Sequence, residues 1–102
     1  MSATQVTMVR IYLTESQGLK ELLAYLHDES KVRGVTVFRA ISGFGRSGVV
    51  HSSRLLYGAL DLPVAVEFFD DPDKVSQILP QVRTLVEPWH IVTWQAEVPD
   101  LD

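Results

Sequence analysis

The chain contains no cysteine, which removes disulfides, thiolate nucleophiles, iron–sulfur clusters and cysteine zinc sites together. It also lacks long apolar runs, and Met1–Arg10 carries no positive segment leading into an apolar one. Neither a membrane span nor a secretory signal is therefore expected, and a cytoplasmic location follows. At 102 residues it has room for one two-layer core but not for a cofactor domain beside a substrate domain. A single domain is predicted, with its core at about 6–98. Acidic residues are absent between Glu29 and Asp61. That window holds Lys31, Arg33, Arg39, Arg46 and Arg54, so a chain of net charge −4 is locally +5 there and −9 elsewhere. The acidic total argues against general nucleic-acid binding, and the basic window points to a loop that faces an anion.

The apolar pattern has two periods. Val6–Leu13 alternates, with Val9, Ile11 and Leu13 on one side and Arg10 and Tyr12 on the other, as a half-buried strand does. Leu19, Leu22, Leu23 and Leu26 recur at helical spacing. Val35–Ser42 and Pro63–Phe69 are rich in β-branched and aromatic residues and read as strands. Asp71-Pro72 has the form of an N-cap and first helical residue, ahead of a stripe of Val75, Ile78, Leu79, Val82, Leu85 and Val86. Pro80 lies inside that stripe and should kink the helix. In the last strand, His90–Val98, the alternation predicts Val92, Trp94, Ala96 and Val98 inward and Thr93, Gln95 and Glu97 outward, with a loose tail after Pro99.

The order β-α-β-β-α-β predicts an α+β, ferredoxin-like sandwich: a four-stranded antiparallel sheet with two helices on one face. The uncovered face, assigned Arg10, Tyr12, Glu67, Thr93, Gln95 and Glu97 with one alternating set of Val35–Ser42, must meet water or another chain.

Between the second and third strands lies a glycine-rich stretch, Gly43 to Gly58, expected to be a flexible loop over about 43–60. Gly43-Phe44-Gly45-Arg46-Ser47-Gly48 matches the dinucleotide fingerprint letter for letter. The match is rejected, because that fingerprint opens a helix in a much larger parallel sheet and Val49-Val50-His51-Ser52-Ser53 opens a helix poorly. What remains is a loop whose amides can approach an anion, with Arg46 and Arg54 nearby. His51 shares this loop with Ser47, Ser52 and Ser53, but no acid there orients it, so no catalytic residue is assigned. His27, His51 and His90 are dispersed, and no metal ligand is assigned. The RRM fold has the same strand order, yet the third strand here, Val64-Ala65-Val66-Glu67-Phe68-Phe69, lacks the basic-Gly-aromatic opening of its RNA-stacking signature. Arg33-Gly34-Val35-Thr36-Val37-Phe38 echoes it only on the second strand.

The stretch Gly34-Val35-Thr36-Val37-Phe38-Arg39-Ala40-Ile41-Ser42-Gly43-Phe44-Gly45, then His51, then Asp61-Leu62-Pro63-Val64 with Glu67-Phe68, resembles the signature of the PII-like family known as domain of unknown function 190. The similarity runs from about Val9 to Val98. The resemblance implies a ferredoxin-like subunit, a homotrimer, and a long loop reaching toward a protein partner such as a transporter or enzyme. It also implies a small anionic effector, an adenine nucleotide or another anion, in clefts between subunits. PII proteins hold phosphates with a Gly- and Lys-containing loop before the last strand and with C-terminal basic residues. Here that segment reads Glu87-Pro88-Trp89-His90, and no Lys or Arg follows Arg83. An anion would instead rely on Arg39, Gly43, Phe44, Gly45, Arg46, Ser47, Gly48, His51 and Arg54. The leading expectation is a non-enzymatic regulatory trimer. The alternatives are a small enzyme using His51 at a subunit boundary and a divalent-metal-binding trimer.

Overall fold

The computed structural model describes residues 2–44, 50–52 and 62–100. Its elements are β1 (Ala3–Thr14), α1 (Leu19–Ala24) running on into a π-helical turn (Tyr25–Glu29), β2 (Val35–Arg39), β3 (Ser42–Phe44), β4 (Val50–Ser52), β5 (Pro63–Asp70), α2 (Pro72–Leu85), a 3-10 turn (Pro88–His90) and β6 (Ile91–Pro99). The main sheet has the order β2-β5-β1-β6 with every neighbour antiparallel, and β3 pairs with β4 as a separate two-stranded ribbon. This is the expected ferredoxin-like architecture. No helix among the described residues is long and apolar enough to cross a membrane.

The alternation seen in β1 decides where the core lies. Val9, Ile11 and Leu13 stand opposite Phe68, Val66 and Val64 of β5, and all six are buried on the face that the helices cover. Leu22 and Leu26 from the first helical segment and Val75, Ile78 and Val82 from α2 close over them. Each such side chain, fully withdrawn from water, contributes about 1.5–3 kcal/mol. Gly18 precedes α1 at φ 87°, and a Cβ there would lie 3.2 Å from the Leu85 carbonyl oxygen. Glycine is required at this point because the start of α1 meets the end of α2 at backbone distance.

Several local expectations need correction. The second strand stops at Arg39 rather than Ser42. Ala40 turns away, its N–H donating to the Pro63 carbonyl at 2.9 Å, and Ser42–Phe44 leaves to pair with Val50–Ser52. The base of the predicted loop is therefore a ribbon. Asp71 occupies the cap position in extended geometry, but its side chain makes no capping bond. Its own N–H instead donates to the carboxylate of the preceding, buried Asp70 at 2.8 Å. Pro80 lies exposed inside α2, which runs on to Leu85 as the apolar stripe predicts. Asp100 is not loose: its N–H donates to the Ser2 carbonyl, and the Ser2 and Thr4 hydroxyls donate to its carboxylate, holding that group below its usual pKa.

The faces of β6 are also the reverse of those predicted. Arg10 stands opposite Val92, Met8 opposite Trp94 and Val6 opposite Ala96, so these apolar residues share the open face. Thr93 and Gln95 stand opposite Val9 and Thr7 on the helix-side face. Alternation identifies the two sets of a strand but not which face each set takes, and β6 is an edge strand whose helix-side residues Thr93, Gln95 and Glu97 remain exposed.

Candidate functional site

Arg39 ends β2 at the same end of the sheet where β5 begins, and its Nη2 donates to Glu15 Oε2 at 3.0 Å. The predicted anion ligand thus already holds a carboxylate from the turn after β1. Gly43 stands opposite His51 in the ribbon, and a Cβ on it would come within 3.2 Å of the Pro63 ring. That close approach seats the ribbon on the start of β5. Ile41 and Phe44 are both largely exposed beside it. Arg39 and Gly43 thereby flank the start of β5 at Val64 and Pro63, and Phe44 and the backbone of His51 continue the ribbon from there. Gly45, Arg46, Ser47, Gly48 and Arg54 lie outside the described residues.

The described cations of the acid-free window do not form one surface. Lys31 and Arg33 lie before β2 and Arg39 at its far end, roughly 20 Å away at the rise of an extended strand. Lys31 adopts φ 52°, and its carbonyl accepts from Lys74 Nζ at 2.8 Å. Arg33 Nε lies 3.5 Å from Asp70 and its Nη2 3.7 Å from Asp71. Asp70, 2% exposed, also accepts from the Arg33 N–H at 3.2 Å and lies 3.6 Å from Lys74 Nζ. These contacts bind the segment before β2 to the start of α2. That segment rims a groove of about 620 Å³, with His27, Lys31 and Arg33 over an apolar floor that includes Leu26 and Val35. His27 Nδ1 is 2.7 Å from Asp28 Oδ1 on the exposed side of the π-helical turn. Among the described residues, no three His, Asp or Glu side chains gather into a metal-holding group.

The open face is the larger feature. Tyr12 (46%), Phe38 (53%), Val92 (46%) and Trp94 (37%) are all exposed on it, one or more from each of β1, β2 and β6, with Ala65 and Phe69 of β5 between. Arg10 donates through Nε and Nη2 to Glu67 Oε2 at 3.1 and 2.9 Å, and its guanidinium carbon lies 5.1 Å from the centre of the Trp94 ring. Hydrogen bonding to Tyr12 and Glu67 raises the guanidinium pKa above its ordinary value. Reading the sequence placed Arg10, Tyr12 and Glu67 on this face but missed Val92 and Trp94. It also missed Asp70, whose only sequence signal is its parity with Val64, Val66 and Phe68 on the core side of β5.

Solved structures share this architecture. CPII, a nitrogen regulatory PII-like protein from Thiomonas intermedia K12, superimposes with a TM-score of 0.76 in its form bound to ADP, AMP and bicarbonate, at 18% identity over 95% of this chain and 91% of that one. Its form bound to ADP and bicarbonate gives 0.73 with the same identity and coverage. A UPF0166 protein of Aquifex aeolicus (strain VF5) is 31% identical over 88 residues, 81% of this chain and 84% of the relative. A second UPF0166 protein of that organism is 28% identical over 91 residues, 89% and 94% of the two chains. The family model of domain of unknown function 190, described as "Uncharacterized ACR", matches residues 6–98. With the β-α-β-β-α-β order, the ribbon at the loop base and a family match running from β1 into β6, the chain belongs to the domain of unknown function 190 family and has the PII-like fold.

Proposed function

We propose that the protein is a non-enzymatic, cytoplasmic regulatory trimer of the PII type, which senses a small anionic effector near the base of its loop and contacts a partner protein through that loop. The observation that carries this reading is the face assignment of β6. Val92, Trp94 and Ala96 stand on the open face while the polar Thr93, Gln95 and Glu97 stand toward the helices. A strand in a monomer would place its apolar set under the helices. Apolar patches of this breadth are uncommon on monomers and mark surfaces that another chain covers. The CPII structures contain ADP, AMP and bicarbonate, so these are the effectors to try first. On this reading Arg39, Gly43, Phe44, Gly45, Arg46, Ser47, Gly48, His51 and Arg54 form the binding region. Effector binding would compete with Glu15 for Arg39, which gives the loop base two alternative electrostatic partners.

Light scattering should give a mass near three times 11.4 kDa, and a thermal-shift series with ADP, AMP and bicarbonate should raise the melting temperature with at least one of them. The shift should shrink in Arg39→Ala, while the melting temperature without effector should barely move because the Arg39–Glu15 pair is exposed. A monomer at micromolar concentration, or a shift untouched by Arg39→Ala, would sink this reading.

A further inference from the structure

The open face consists of two apolar bands with a polar row between them. Thr36, Glu67, Arg10 and Val92 stand side by side across β2, β5, β1 and β6. One residue pair along the strands on one side lie Phe38, Ala65 and Tyr12, and on the other Phe69, Met8 and Trp94. Successive rows on one face are about 6.6–6.8 Å apart. Within these three rows Arg10 and Glu67 are the only charged residues, and each is the other's partner. Trp94 lies against the guanidinium and fixes its plane.

An ion pair on the surface of one chain is worth little. The same pair under a second chain is desolvated, and it is then tolerated only if both charges remain matched. A strongly acidic or basic partner would leave one charge unmatched in that dry layer. The surface that fits is neutral, with apolar bands at the same spacing, and the same face of another copy of this chain meets that description. We propose that the Arg10–Glu67 pair, braced by Trp94, is the registration element of the contact between copies. A slip of one row would lay the ions against a band whose polar side-chain groups are the Tyr12 hydroxyl or the Trp94 indole N–H, neutral groups that do not match a full charge, so the pair selects one alignment. This inference rests on the reading that the open face joins the copies.

The test compares wild type, Arg10→Leu, Glu67→Leu, the double Arg10→Leu/Glu67→Leu and the exchanged pair Arg10→Glu/Glu67→Arg by sedimentation velocity over a dilution series, with circular dichroism to confirm the fold. Each single variant should weaken assembly on the order of 30- to 1,000-fold, because it leaves a lone charge in the contact. The double should reassociate at least as tightly as wild type but with a spread of masses, since the apolar face then accepts several alignments. The exchanged pair should assemble with one mass. Single variants that assemble like wild type, or a double that stays dissociated or keeps a single mass, would overturn the registration role while leaving the assembly reading intact. A wild type that is monomeric throughout the series would overturn both. If a single variant loses its fold, the exchanged pair decides: one assembled mass supports the role, and dissociation refutes it.

Discussion

Replacing Asp70 by alanine should cost far more stability than replacing Asp71, although only Asp71 has the sequence form of a helix cap. The Asp70 carboxylate is 2% exposed and accepts the N–H of Asp71 at 2.8 Å and of Arg33 at 3.2 Å. Hydrogen bonds to a charged group contribute about 1.5–3 kcal/mol each, and part of that is recovered here because the freed N–H groups belong to the exposed residues Asp71 and Arg33 and can turn to water. The ion pairs with Arg33 and Lys74, at 3.5 and 3.6 Å, add little because both cations reach solvent and can turn to water. The expected loss for Asp70→Ala is about 2–4 kcal/mol. At roughly 4–8 °C per kcal/mol for a domain of this size, that lowers the melting temperature by roughly 10–25 °C. Asp71→Ala removes an exposed side chain that caps nothing and touches Arg33 only at 3.7 Å, so it should stay within about 0.5 kcal/mol. Urea titration of both variants and wild type at one protein concentration makes the comparison, since assembly would otherwise shift each midpoint by mass action. Equal losses, or a larger loss for Asp71→Ala, would refute the assignment of Asp70 as the anchor between the segment before β2 and α2.

Two further substitutions test local packing by the same titration. Gly18→Ala should destabilise by about 1–2 kcal/mol for the left-handed backbone alone, with a further loss from the 3.2 Å approach to the Leu85 carbonyl; no change would mean that α1 and α2 do not meet there. Thr14→Val should be neutral or stabilising by up to roughly 1 kcal/mol, because the Thr14 hydroxyl is buried without a hydrogen-bond partner, and a clear loss would show that the hydroxyl is satisfied after all.

The fold was legible because it rests on local periodicity. Val9, Ile11 and Leu13 at period two, and Leu19, Leu22, Leu23 and Leu26 at helical spacing, each need a second layer, and the order of elements leaves few ways to supply it. What escaped depends on contacts distant in sequence. Asp71 satisfies the local rule for a cap yet makes no capping bond, while Asp70, one residue earlier and buried by β5, accepts the N–H groups of Asp71 and Arg33. The acid-free window has a similar lesson. Of its five cations, the three that are described are split in space, since β2 carries Lys31 and Arg33 to one end of the sheet and Arg39 to the other, and the carboxylates of Glu15 and Asp70 come from outside the window. A run of like charge in sequence therefore predicts a cationic surface only where the chain folds back within the run.

The reversed faces of β6 are what the proposed assembly would explain. An alternating strand reports that one of its sides is covered, and the natural assumption is that the chain's own helices do the covering. In β1 and β5 that holds, with Ile11 and Val66 paired under the helices. In β6 only Ile91 keeps to the core side; beyond it Val92, Trp94 and Ala96 take the open side, while Gln95 meets Thr7 and Glu97 meets Gln5 on the other through side-chain hydrogen bonds. A random mismatch would mix the two sets. On the proposed reading, β6 beyond Ile91 alternates for a covering layer on the side away from the helices, the same side that carries Tyr12, Phe38 and the Arg10–Glu67 row. The strand's pattern is then consistent with its surroundings once copies of the chain, and not the chain alone, are taken as the folded object.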